Sequence, residues 1–317
     1  MPLPFDEQVL KTSEGLVAQL QAIFGKHPGF RPAHARGVMF TGTFAPTAEA
    51  AALSIAPHFK NASTPITVRF SSSTGIPQIP DTDPNANPRG LAIRFNLPEH
   101  NGRRVHTDIV VHSTPFFPTR TGAEFLEFLQ AIAASPPGTP SPSPVEKFVG
   151  SHPSTLAFVQ APKPAPVSFA KEAYYAVTAL KFINAEGEAT YFRYRILPDA
   201  GEENVNEADL KERDGSFLYD ELPKRVAQGP VGFTLYAQLA EEGDVTDDAT
   251  VHWPNSRPLV KLGTLKVEKL VADTEKEQKS IIYDPIARVQ GIEPSDDPLL
   301  EVRAAVYLIS GRQRRAA

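Results

Sequence analysis

The chain has 317 residues, with 32 Lys and Arg against 37 Asp and Glu, a formal charge of −5, and no cysteine. That length suffices for a sizeable core in one large domain or two modest ones. The acidic balance gives no electrostatic case for nucleic acid or an anionic membrane surface. The missing cysteine excludes thiol catalysis, thiolate metal sites and disulfides.

The opening stretch, MPLPFDEQVLKTSEGLVAQLQ, lacks the basic start and apolar run of a secretory signal. No stretch reaches the roughly 18 apolar residues that span a bilayer, so a cytoplasmic location is expected. Val9, Leu16, Leu20, Ile23 and Phe24 recur at helical spacing and predict a helix over 6–24. A strand follows at 37–45, a helix at 47–59, and strands at 66–73, 90–97 and 103–111. A helix is predicted over 123–135, and SPPGTPSPSP (135–144) is too proline-rich for either element and reads as an exposed connection. Further extended runs cover 172–184, 188–197, 229–240 and 258–271, the first two joined by the tight-turn signal Asn184-Ala-Glu-Gly187. Helices are predicted at 216–228 and from about 298 to 315. Eight extended, mostly alternating segments with helices between them predict an antiparallel barrel or a sandwich. Similar strands on both sides of the proline-rich loop favour a single domain over 1–317.

Several residues invite a chemical reading, each beside a plainer one. His34, in FRPAHARG (30–37), has a side chain suited to proton transfer near neutrality, though a lone histidine is more often structural. Alternation puts Val68 and Phe70 on one face of a strand and Arg69 and Ser71 on the other, toward a cavity or toward water. DTDPNANPRGLAIRF (81–95) lacks the spaced ligands of an EF-hand and reads as a turn. His106, Asp108 and His112 share a strand face, yet no metal motif supports them. Phosphate-loop, HExxH and GxSxG patterns are absent. Arg303, Tyr307 and Arg314 share one stripe of the last helix. Tyrosine binds ferric iron as tyrosinate, which a nearby cation stabilises, and it is one of the few axial ligands of haem. An amphipathic helix whose basic end offsets its dipole explains the stripe equally well on spacing alone.

Taken jointly, these segments resemble the haem-catalase superfamily. RPAHARG resembles its distal-histidine segment, and VRFS with DPNANPRGLAIRF resembles the two strands that follow. HSTPFF, LKFINAEGEATYFRYR and GIEPSDDPLLEVRAAVY resemble its Thr-Pro segment, mid-barrel hairpin and proximal Arg-x-x-x-Tyr motif. The matches run in order from Arg31 to Arg314.

The resemblance implies an α+β fold, an eight-stranded antiparallel barrel with surrounding helices and haem b bound in it. By position, Tyr307 is implied as the iron ligand, Arg303 as the cation holding it as tyrosinate, and His34 as the acid–base residue, oriented by Ser71. Arg31, Arg69 and Arg314 are implied to clamp the haem propionates. Full catalases carry an asparagine just before Thr-Pro, and Ser113 stands there in this chain, where it is expected to donate to peroxide. Thr178 and Ala179 replace the usual His-Thr. The matches imply neither a threading arm nor C-terminal extensions, which points to the small catalase-related peroxidases. The implied activity is reduction of hydrogen peroxide or organic hydroperoxides by a small organic reductant, with weak catalase activity. Partners beyond these are neither nucleic acid nor membrane, with a homodimer or homo-oligomer possible. Alternatives are a catalase-related allene oxide synthase, against which Ala33 before His34 tells, and a non-catalytic haem- or lipid-binding barrel. Phe116, Phe117 and Phe125 are candidates to line an access channel.

Overall fold

Asp6 begins the first helix, α1 (Glu7–Phe24), by accepting the backbone N–H groups of Gln8 and Val9 at 2.8 and 3.1 Å. The structure, a computed structural model, describes residues 3–317, so Met1 and Pro2 of the predicted domain lie outside the described residues. β1 (Gly37–Pro46), α2 (Ala48–Leu53), α3 (Pro57–Lys60) and β2 (Thr64–Ser71) come next. The single helix expected at 47–59 is two, because Pro57 lacks the N–H a continuing helix needs and starts a new turn instead. β3 (Gly90–His100) and β4 (Arg103–His112) form a hairpin, and α4 (Gly122–Ala133) opens on a capping box of Thr121 and Glu124.

The second half holds elements that periodicity did not disclose. Beyond the proline-rich loop lie α5 (Pro144–Ser151) and α6 (Pro153–Gln160). The predicted strand 172–184 is two pieces, β5 (Tyr174–Tyr175) and β6 (Leu180–Ile183), which pair with successive parts of β7 (Ala189–Pro198). Then come α7 (Glu207–Lys211), α8 (Phe217–Gln228), β8 (Val231–Leu239), β9 (Leu259–Leu270), α9 (Thr274–Ser280), β10 (Ile292–Pro294) and α10 (Leu299–Ala316).

Antiparallel pairing runs β1–β2–β3–β4–β5–β7–β8–β9 and returns to β1, which closes an eight-stranded barrel and leaves no open edge in that ring. One face of every long strand fills the interior. Phe40, Val68, Phe70, Ile93, Phe95, Phe233, Leu235 and Leu265 are all buried there, and Phe44 meets Phe95 edge-to-face at 5.1 Å. Each such aromatic contributes about 1.5–3 kcal/mol by burial. The interior is therefore a packed core. A cofactor bound inside the barrel, as expected from the resemblance, has no room; the large cavity lies outside, between the other face of β2–β5 and helices α1, α4 and α10. α1 packs on α4 and α10 to roof that cavity. No helix among the described residues is long and apolar enough to cross a membrane.

Candidate active site

His34 approaches the cavity from the loop before β1 with a φ of 54°, a left-handed conformation uncommon for a residue with a Cβ. Arg69 on β2 holds that backbone: its Nη2 donates to the carbonyls of His34 and Ala35 at 2.8 and 3.2 Å. The imidazole Nδ1 lies 3.1 Å from Ser71 Oγ. Gly90, opposite Ser71 on β3, leaves the space for the ring, since a Cβ there would fall 2.8 Å from His34 Nδ1 and 2.5 Å from Ser71 Oγ. Burial, followed by the charges of Arg69, Arg31 and Arg303, lowers the His34 pKa to about 4. The ring is therefore neutral at physiological pH and keeps a nitrogen lone pair for a proton.

A group of three arginines gathers at one end of the cavity. Arg31 donates to the Gln278 and Ile281 carbonyls at 3.1 Å each, and Arg69 Nε donates to Gln278 Oε1 at 2.7 Å. Arg314 donates to Ser310 Oγ and the Ile281 carbonyl at 2.8 Å each, while its buried Nε has no partner among the described residues. Burial and the neighbouring Arg69 and Arg314 hold Arg31 well below its usual pKa, and burial with Arg69 and Arg315 brings Arg314 down to about 10. No Asp or Glu occurs among the residues lining this cavity of about 640 Å³. Three buried cations that meet only carbonyls and neutral side chains form a site that fits a ligand bearing carboxylates.

Asp297 Oδ1 accepts the Leu299 N–H at 2.9 Å and so starts α10, whose inner stripe carries Arg303, Tyr307, Ser310 and Arg314 to the cavity. The Arg303 guanidinium carbon is 5.9 Å from the Tyr307 ring centroid, and its nitrogens donate to Thr178 Oγ1 at 3.3 Å and the Val110 carbonyl at 3.4 Å. The hydroxyl of Thr178 thus anchors the cation at the position where larger relatives were expected to hold a histidine.

Seven of the eight residues singled out from sequence line the cavity: Arg31, His34, Arg69, Ser71, Arg303, Tyr307 and Arg314. Ser113 does not. Its hydroxyl accepts the Arg89 backbone N–H at 3.0 Å, so the expected contact with peroxide is corrected: the strand's alternation turns His112, not Ser113, to the cavity. Phe117 and Phe125 line the approach with centroids 4.9 Å apart, whereas Phe116 packs behind the lining residue Phe158, against His252. Asp108, grouped with His106 and His112 by strand face, accepts two bonds from Arg94 at 2.8 and 2.7 Å and pairs with His106 at 3.3 Å. No cluster of three metal-ligating His, Asp or Glu side chains occurs among the described residues. Sequence reasoning missed Gly90 and Tyr283. The Tyr283 ring lines the cavity beside the arginines, and its buried hydroxyl has no partner among the described residues.

A closed antiparallel barrel with an external cavity, a histidine–serine pair on the barrel wall and an Arg-x-x-x-Tyr helix defines a recognisable class. The family described as catalase matches residues 24–317. The catalase-related peroxidase of Synechococcus elongatus is 33% identical over 307 residues, covering 96% of this chain and 88% of that protein. The catalase-related peroxidase of Mycolicibacterium paratuberculosis is 33% identical over 308 residues, covering 96% and 95%. Among solved structures, a fungal catalase superposes with a TM-score of 0.79 at 23% identity over 95% of this chain, and catalase A of Saccharomyces cerevisiae with 0.79 at 21% over 99%. The chain spans 63% and 65% of the lengths of those two catalases. The chain belongs to the catalase family of peroxide-acting oxidoreductases, and the resemblance to its small catalase-related peroxidases holds along nearly its whole length.

Proposed function

We propose that residues 1–317 form one haem-dependent peroxidase unit that reduces hydrogen peroxide or organic hydroperoxides with a small organic electron donor and dismutes hydrogen peroxide only weakly. The observation that carries this is the three-arginine end of the cavity, whose cations have no carboxylate partner among its lining residues. The two propionates of haem b match that need, and the catalase family implies haem. Arg31, Arg69 and Arg314 would hold the propionates, and Tyr307 would ligate the iron with Arg303 favouring its phenolate. Haem, when bound, supplies the two electrons that cleave the O–O bond, and the organic donor returns them.

The chain's own part is proton movement and positioning. With its hydrogen on Nδ1, 3.1 Å from Ser71 Oγ, His34 would keep Nε2 free to take a proton from one peroxide oxygen. Returning that proton to the other oxygen would let water, or an alcohol from an organic hydroperoxide, depart. Arg69 fixes the His34 backbone through its carbonyl and would also hold a propionate. Phe117, Phe125 and Leu129 give the cavity an apolar approach.

The test is turnover by purified, haem-loaded protein. Peroxide-dependent oxidation of an aromatic donor should proceed well, with little oxygen released from hydrogen peroxide alone. Absence of donor oxidation would refute the peroxidase reading, and reductant-free rearrangement of a fatty acid hydroperoxide would replace it with the isomerase alternative.

A further inference from the structure

One rung of the barrel carries Ser71 on β2, Gly90 on β3 and His112 on β4, because Ser71 pairs with Gly90 and Gly90 with His112. Residues opposite one another in antiparallel strands point to the same side of the sheet. Ser71 and His112 therefore flank the gap above Gly90, and both line the cavity. That gap is where the His34 ring sits, its Nδ1 and Cε1 lying 2.8 and 2.9 Å from the position of a Cβ on Gly90. With neighbouring strands roughly 5 Å apart, the His34 ring over β3 and the His112 side chain on β4 face the same cavity.

The proton of the second imidazole can be assigned. His112 Nδ1 accepts the backbone N–H of Thr114 at 3.1 Å. A neutral imidazole with Nδ1 engaged as acceptor carries its hydrogen on Nε2. Burial, then the charges of His34, Arg303 and Lys163, keep the ring neutral by lowering its pKa to about 3. Nε2 has no hydrogen-bond partner among the described residues, and it is not one of the buried unpartnered atoms, so it opens onto the cavity.

Resting on the peroxidase reading above, we propose that His112 Nε2–H donates a hydrogen bond to the oxygen of a peroxide held at His34. The cavity wall then holds two imidazoles with opposite duties. His34, tied to Ser71, accepts a proton, and His112, tied to Thr114, offers one without giving it up. A donor beside the acceptor orients the small, symmetric hydrogen peroxide molecule and stabilises charge on the departing oxygen. The role expected of Ser113 thus falls to its neighbour, whose longer side chain reaches into the cavity while the serine bonds the Arg89 backbone.

Fluoride binding to the ferric, haem-loaded protein tests this apart from turnover, because fluoride accepts hydrogen bonds and the charge-transfer band of its complex shifts with them. His112→Phe should lower fluoride affinity about ten-fold or more, move that band, and lower kcat/KM for hydrogen peroxide by a similar factor. His112→Gln, which keeps an N–H, should restore affinity to within about three-fold of wild type. If His112→Phe does not fold, His112→Gln and His112→Met make the same comparison between similar-sized side chains. Unchanged affinity and band position on loss of the donor would overturn the proposal, as would equal losses in the Gln and Phe or Met variants. Protein that takes up no haem overturns both readings. Haem-loaded protein with no turnover, but with a fluoride band that responds to His112→Phe, overturns the peroxidase reading and upholds the donor.

Discussion

Ser71 Oγ and His34 Nδ1 stand 3.1 Å apart, and the imidazole occupies the space that a side chain on Gly90 would fill. The catalytic geometry proposed for His34 thus depends on a residue with no functional group. Gly90→Ala puts a Cβ 2.8 Å from Nδ1 and must displace the ring. A displacement on the order of 1 Å costs about 100-fold in rate, so peroxidase kcat/KM should fall by about that factor. The overpacking itself should cost about 1–3 kcal/mol of stability. Steady-state kinetics beside urea unfolding checks both, and wild-type kinetics would contradict the proposed placement.

The arginine cluster predicts a graded loss of haem retention. Hydrogen bonds to charged groups are worth about 1.5–3 kcal/mol, so Arg314→Gln should speed haem loss to a high-affinity acceptor by about 10- to 100-fold. Tyr283→Phe removes a neutral donor from the same end and should have a smaller effect, about two- to ten-fold. Equal rates for Arg314→Gln and wild type would remove Arg314 from the clamp.

Much of the barrel, and most of the residues that line the candidate site, were legible in the sequence, for identifiable physical reasons. Alternation around Arg69 and Ser71 predicted a shared face, and the core side chains Val68 and Phe70 show why that face must turn outward. Helical periodicity likewise put Arg303, Tyr307 and Arg314 on one stripe. Periodicity could not say that the cavity lies outside the barrel, because the position of the two faces follows from closure of the strands. α5 escaped notice although Ser143 and Glu146 form a capping box, since the prolines around it read as loop. The site residues that were missed are positional. Gly90 matters through what it lacks, and Tyr283 lies on a segment without periodicity that only the fold brings beside the arginines. Ser113 was chosen by motif, but its hydroxyl is engaged by the backbone of Arg89.

Away from the site, His58 predicts an acid-sensitive core. It is buried among Phe44, Phe59 and Phe95 with neither ring nitrogen bonded among the described residues, and burial lowers its pKa to about 3. The unfolded chain takes up this proton below about pH 6.5, whereas the folded chain does so only below about 3. His58 therefore lowers stability progressively as pH falls between those values, by up to about 1.4 kcal/mol per pH unit. His58→Leu, close in volume, should raise unfolding free energy at pH 7 by about 1–3 kcal/mol through loss of the unpaired nitrogens. Its advantage should widen toward pH 5. Urea titrations at the two pH values check this, and an unchanged or shrinking difference would show the imidazole to be paired.

Tyr307, beside Arg303, is proposed to ligate haem iron as a phenolate. The visible absorption spectrum of the ferric, haem-loaded protein, recorded for wild type and Tyr307→Phe, tests it most directly. A phenolate-ligated ferric spectrum is expected in the wild type and its disappearance in the variant. Indistinguishable spectra from two equally haem-loaded proteins would contradict it.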